Sequence, residues 1–184
     1  MKLLSIQVGR PRQVTWRRRT LTTGIYKDRV EGRIILRRHN LDGDEQADLS
    51  VHGGWDKAVY VYPSEHYAFW RTELPAVHLP YGAFGENFTT EGLDELTVCI
   101  GDVFRIGTAV VEVTQPRMPC YKLGVRFGRP DMPQRFHASS RCGFYLAVLK
   151  EGDVGAGDVW ERIGRNDKRT SVLKSYRSSL SEVG

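Results

Sequence analysis

Thiols are scarce in this sequence, and long apolar runs are missing from it. Cys99, Cys120 and Cys142 are the three cysteines among 184 residues. An odd number with no CxxC pair supports neither a secreted disulfide framework nor a zinc ribbon. No stretch reaches the roughly eighteen consecutive apolar residues that a membrane-spanning helix needs. The start, MKLLSIQVGRPR, has too short an apolar stretch for a signal peptide and no small-residue cleavage pattern. The expectation is a cytoplasmic protein with reduced thiols. Phosphate-loop and nucleophile-elbow glycine motifs are absent, and Gly155-Ala156-Gly157 lacks the third glycine and following helix of a dinucleotide site. Asp42-Gly43-Asp44 begins like a calcium loop, but Ala47 stands where the turn glycine belongs and Gly53 where a bidentate Glu belongs.

What is present fits one ordinary domain. A chain of this length buries roughly two-thirds of its unfolded surface, so it needs no disulfide or metal staple. The net charge of +5 conceals an uneven distribution. Residues 1–38 carry eleven Lys/Arg against two acids, residues 39–163 eleven against eighteen, and residues 164–184 five against two. Both ends are basic. RPRQVTWRRRT, with Trp16 inside an arginine cluster, has the composition to grip phosphates, although a solvated hairpin is the simpler reading of such a run.

The dominant hydrophobic period is two. Leu4–Val8, Arg33–Leu36, Lys57–Tyr62, Val98–Ile100, Val103–Ile106, Ala109–Thr114, Phe144–Leu149 and Asp158–Ile163 are short β-branched or aromatic runs, most bounded by Gly or Asp. They predict a mainly β barrel or sandwich. Two short helices interrupt the pattern, Pro63 to about Leu74 and Asp131 to about Ser139. The chain divides into a barrel over 1–163 and a basic polar tail over 164–184, either poorly ordered or one marginal helix.

Candidate site residues crowd into loops beside strands. His52, Gly53, Gly54 and Lys57 precede a predicted strand; adjacent glycines let backbone N–H groups approach an anion, and Lys57 adds a point charge. In GAFGENFTTEGL, Asn87 offers both donor and acceptor. Cys120 stands out in TQPRMPCYKL. Pro116 and Pro119 end the strand in a rigid, partly exposed turn, and Arg117 and Lys122 flank the thiol, a setting that favours the thiolate. An inert, buried cysteine is the plainer alternative at this point.

LDGDEQADLSVHGGWDKAVYVYPSEHY, GAFGENFTTEGL, VCIGDVFRIG, QPRMPCYKL and RCGFY, in that order, resemble the MOSC domain, the module named after the C-terminal part of molybdenum cofactor sulfurase, and most of all its bacterial YiiM-like group. The resemblance runs from the first strand to about Ile163. It implies an antiparallel β-barrel with a few short peripheral helices. It also implies that Cys120 is the protein ligand to molybdenum in a molybdopterin cofactor, a role a soft thiolate suits. Arg117, Lys57, Asn87, Arg141, Gly53 and Gly54 then become candidates to hold the phosphate and pterin edges. The family's larger members carry an additional C-terminal helical region, for which residues 164–184 are too short.

The implied activity is reduction of small N-hydroxylated compounds to amine and water. His52 and His66 are possible proton donors, with structural roles the alternative for both. The sequence has no iron–sulfur cysteines and no flavin motif, so electrons are expected from a separate protein. A sulfur carrier with a Cys120 persulfide, or a cofactor-binding module without redox turnover, is the alternative reading. Nucleic-acid binding through Arg10–Arg19 ranks last.

Overall fold

The computed structural model describes residues 1–45 and 54–181. The opening strands are β1 (Lys2–Val8), β2 (Arg12–Trp16), β3 (Arg19–Thr23), β4 (Asp28–Arg29) and β5 (Arg33–Leu36). After a single 3-10 turn at Trp55–Lys57 come β6 (Val59–Pro63), helix α1 (Glu65–Glu73), β7 (Phe88–Glu91), β8 (Val103–Ile106) and β9 (Ala109–Pro116). Helices α2 (Tyr121–Phe127) and α3 (Met132–Ser139) lead to β10 (Phe144–Lys150), β11 (Gly152–Gly155), β12 (Trp160–Gly164) and α4 (Val172–Ser181). No helix among the described residues is long and apolar enough to cross a membrane.

Eight strands form one sheet in the order β12-β8-β9-β10-β6-β7-β1-β4. Every neighbouring pair is antiparallel except β6 and β7, which the α1 crossover makes parallel. The sheet curls into a half-barrel because its ends are stitched together. β4 covers one end of β1 at Gln7 and Val8, while Lys2 at the other end bridges Val159, just ahead of β12. The Leu3 amide donates to the Asp158 carbonyl at 2.9 Å, and the Gly157 amide to that of Leu3 at 2.7 Å. Trp160 fills the seam, packing edge-on against Phe88 of β7 and Phe104 of β8.

β6 is buried along its whole length, which explains its unbroken VYVYP sequence. A strand alternates its faces. Tyr62 faces the helical side, where it accepts a hydrogen bond from Trp70 Nε1 at 2.7 Å and packs against Phe84 and Phe136. Tyr60, on the same face, faces the cleft described below.

The expected strand Val98–Ile100 is not one: Cys99 makes an isolated bridge to Ser171 inside a turn. The segment after Gly164 returns along the barrel. Val172 and Tyr176 of α4 are fully buried, and the Val172 and Leu173 amides donate to the carbonyls of Val98 and Glu95. β2 and β3 form a separate two-stranded ribbon outside the main sheet, as do β5 and β11.

Candidate functional site

β9 ends where proline removes a ladder donor, and from there the chain crosses the rim of the barrel. Pro116 still opposes Phe144, and the Arg117 amide reaches the Gly143 carbonyl at 3.3 Å. Cys120 then sits in extended backbone immediately before α2, its carbonyl accepting from the Leu123 amide at 3.0 Å. Its side chain is half-buried and lines a cleft of about 630 Å³, counting the open mouth. The thiol is therefore reachable.

The cleft is cationic. Its lining holds Lys27, Lys57, Arg117 and Lys122 against the two carboxylates Asp44 and Glu45. Asp44 is already neutralised: it is 3% exposed and accepts from Lys27 Nζ, the Gly9 amide and Asn87 Nδ2. Glu45 lies toward solvent beside Arg10. Four cations against two carboxylates give the lining a net positive charge, which favours an anionic guest.

Arg117 is the unusual member. It is 5% exposed, and its guanidinium lies over the rings of Tyr60 at 4.9 Å and Phe136 at 5.3 Å. Its Nη1 has no hydrogen-bond partner among the described residues. Burial alone would favour the neutral form, but the surroundings, Tyr60, Tyr145 and Cys120 among them, hold the group all the more firmly protonated. A buried cation with an open donor is costly unless something fills it. Tyr60 and Tyr145 pack ring to ring at 5.5 Å, and burial pushes both phenols up, so they stay neutral. Tyr60 spends its hydroxyl on the Cys142 carbonyl at 2.9 Å.

The sequence candidates separate on this geometry. Cys120, Arg117, Lys57 and Asn87 all line the cleft. Lys57 is delivered there by the 3-10 turn, which Thr114 Oγ1 and Gln115 Nε2 pin to β9 through the Asp56 carbonyl and carboxylate. Asn87 is part of the wall: both its N–H groups are committed, to the Gln7 carbonyl and to Asp44, and its oxygen accepts from the Tyr60 amide. Arg141 is a correction. Its guanidinium lies 3.8 Å over the Phe69 ring of α1 and donates to the Ser139 carbonyl, so it lines the helical side and not the cleft. Gly54 opens the 3-10 turn with φ +125° and accepts from the Lys57 amide, also away from the lining. His52 and Gly53 lie outside the described residues. His66 is tied to Glu95 at 2.7 Å, and Glu95 also accepts from the Gly143 amide, so this histidine braces the RCG segment.

Sequence reasoning missed Lys27, Asp44, Tyr60 and Tyr145. The two tyrosines are hidden in apolar strand runs, and their outward register shows only once the sheet is assembled. In the sequence Asp44 stands out only as part of a failed calcium loop. Among the described residues no three His, Cys, Asp or Glu side chains converge as a metal cage, so a metal at Cys120 would need donors of its own.

The MOSC domain family model matches residues 48–161. YflK from Bacillus subtilis is 46% identical over 175 residues, which is 95% of this chain and 79% of that protein. A protein named reductase from Gibberella moniliformis is 38% identical over 160 residues, 85% of this chain but 28% of its own length. The crystal structure of YiiM from Geobacillus stearothermophilus superposes with a TM-score of 0.81 at 34% identity, covering 98% of this chain and 84% of that one. With the curled half-barrel and its four short helices already described, these matches make the chain a YiiM-like member of the MOSC domain family.

Proposed function

We propose that this protein is a molybdenum-cofactor-binding oxidoreductase that reduces N-hydroxylated compounds, with Cys120 as the protein's ligand to the metal. The observation that carries the reading is the open Nη1 of a buried, permanently charged Arg117 beside a reachable thiol. A pterin cofactor bearing a phosphate fits that donor set: it brings negative charge, a flat ring system and metal donors that the protein side chains do not supply. The family association with molybdenum cofactor and the name of the Gibberella relative support the same direction.

In this reading the chain's own residues have distinct tasks. Cys120 contributes a soft sulfur donor, which the half-buried rim keeps accessible. Arg117 holds negative charge at the inner wall, and Lys57 and Lys122 hold it nearer the mouth. Tyr60 and Tyr145 give aromatic surface for a ring system and keep water from that wall. When bound, the cofactor supplies the two-electron chemistry. The overall change is R–NHOH plus two electrons and two protons to R–NH2 plus water. Lys57 and Lys122 lie within the lining, and His52 remains a candidate proton donor.

A persulfide carrier needs the thiol but has no use for a buried guanidinium with an open donor. Metal and pterin analysis after expression in a cofactor-competent host distinguishes the two. The oxidoreductase reading expects stoichiometric molybdenum and molybdopterin, both lost in Cys120→Ala together with hydroxylamine reduction. Cyanide-releasable sulfur without molybdenum would establish the carrier instead.

A further inference from the structure

The β2–β3 ribbon has no evident part in the cleft's chemistry, yet it carries the densest charge in the chain. Residues 10–23 hold five arginines and no acid. The ribbon pairs only with itself, Arg12 opposite Thr23 through to Trp16 opposite Arg19. A lone two-stranded ribbon is marginal in water, because it has too little apolar surface to bury. Its turn makes this worse. Arg17 and Arg18 occupy the two central positions with φ +48° and +65°, the left-handed geometry that Asn-Gly adopts readily and arginine does not. Arg17, Arg18 and Arg19 are exposed, and neither Arg18 nor Arg19 has an ion-pair partner among the described residues. Strained backbone that presents unpaired charge points to a role outside the fold.

Position tells which role. Thr23, Gly24 and Ile25, where the ribbon ends, line the same cleft as Cys120. Tyr26 comes next, its ring held between the guanidinium of Arg12 at 3.9 Å and that of Arg126 from α2 at 5.1 Å. α2 begins directly after Cys120. The ribbon's root, the cleft wall and the thiol are thus one packed unit, and whatever sits on the ribbon sits beside the cleft mouth.

We propose that the β2–β3 ribbon docks an acidic electron-transfer protein and so brings a reduced flavin to the cleft. This rests on the oxidoreductase reading: the reduction consumes two electrons, and the chain has neither flavin motif nor iron–sulfur cysteines to hold them. The donor's reduced flavin is oxidised by two electrons, two protons come from solvent, and R–NHOH becomes R–NH2 and water. Charge complementarity sets the encounter, so the interaction is steered and salt-sensitive.

The test uses the full chain and flavodoxin, an acidic flavoprotein, as the probe. Oxidised flavodoxin is titrated into the protein, without cofactor loading, at an ionic strength of about 0.01 M and again at about 0.15 M, where the screening length falls from roughly 30 to roughly 8 Å. Binding is expected at the lower salt and loss at the higher. The triple variant Arg17→Glu/Arg18→Glu/Arg19→Glu should weaken binding about tenfold or more, while its thermal midpoint shows that the barrel is intact. With loaded enzyme the same variant should raise KM for reduced flavodoxin and leave turnover with reduced methyl viologen unchanged. Equal binding by parent and variant overturns the proposal, as does failure of the parent to bind flavodoxin, whether or not it retains duplex DNA through the ribbon. Failure of the oxidoreductase reading looks different: no turnover with methyl viologen, whatever the flavodoxin titration shows.

Discussion

A guanidinium cannot shed its proton to escape burial, so the strain at Arg117 has to be met by a ligand or carried by the fold. Arg117→Met tests this directly. Replacing a buried, incompletely paired charge with an apolar side chain of similar size is often neutral or stabilising by about 1–4 kcal/mol. The variant is expected to melt no lower than the parent when both are free of cofactor, yet to retain far less molybdopterin on purification. A lower midpoint in the cofactor-free variant would mean that the two ring contacts, not an awaited anion, justify the arginine. The cysteines divide just as sharply. Cys142 is fully buried, and burial, reinforced by the nearby Glu95, pushes its thiol well above the usual range. Cys120 and Cys99 are half-buried. N-ethylmaleimide at neutral pH should therefore label Cys120 in the native protein and reach Cys142 only after denaturation, as read by peptide mass spectrometry. Native labelling of Cys142 would contradict this packing.

At the scale of elements, the loop between α1 and β7 is organised by one buried carboxyl. Glu86 is fully buried and accepts from Tyr67 Oη, Thr89 Oγ1 and the amides of Gly82 and Phe84. Burial raises its pKa, with the donors opposing. Because the folded value lies above the unfolded one, the group's contribution to stability is complete below the unfolded pKa and is lost as pH rises through the folded value. Glu86→Gln leaves a buried donor facing a donor, which costs about 1–3 kcal/mol. The deficit of this variant in urea denaturation should narrow from acid toward neutral pH; a constant or widening deficit would refute the raised value. α4 permits a cleaner comparison. Tyr176 is fully buried and its hydroxyl has no partner among the described residues. Tyr176→Phe should leave the melting temperature unchanged or raise it, whereas Tyr176→Ala should cost about 3–5 kcal/mol. Elements also differ in how far the sequence makes them legible. Alternation gave β5 and β8 to the residue, because each has one face on the core and clear turn signals. The sequence shows no element at α2, since seven residues are too few for a helical period to emerge. The anchoring of α4 was out of sight because its apolar residues meet partners some seventy positions earlier. Within the site, Cys120 and Arg117 could be read from local chemistry. Tyr60, Tyr145 and the Lys27–Asp44 pair come together only in the assembled fold, and Arg141, a candidate only through the resemblance, turns to Phe69 because a single sequence does not show which side chains converge.

For the molecule as a whole, closure of the sheet is what makes the cleft a fixed shape. The first residues of β1 and the segment entering β12 are about 160 positions apart, a costly loop to close before any contact rewards it. Trp160 is the side chain placed to hold that closure, 2% exposed and touching rings from β7 and β8 at once. Trp160→Ala should cost about 3–5 kcal/mol, and its structural signature should be long-range. In hydrogen exchange, the amides of Leu3 and Gly157, which stitch the seam, and those of β8 paired with β12 should lose protection together, although they belong to opposite ends of the chain. Trp160→Phe should restore most of this protection, since Trp160 Nε1 has no hydrogen-bond partner among the described residues and ring volume is what the seam requires. Loss of protection confined to residues next to position 160 would show instead that the half-barrel holds its shape without the seam, and that the geometry around Cys120 is set locally by β9, β10 and α2.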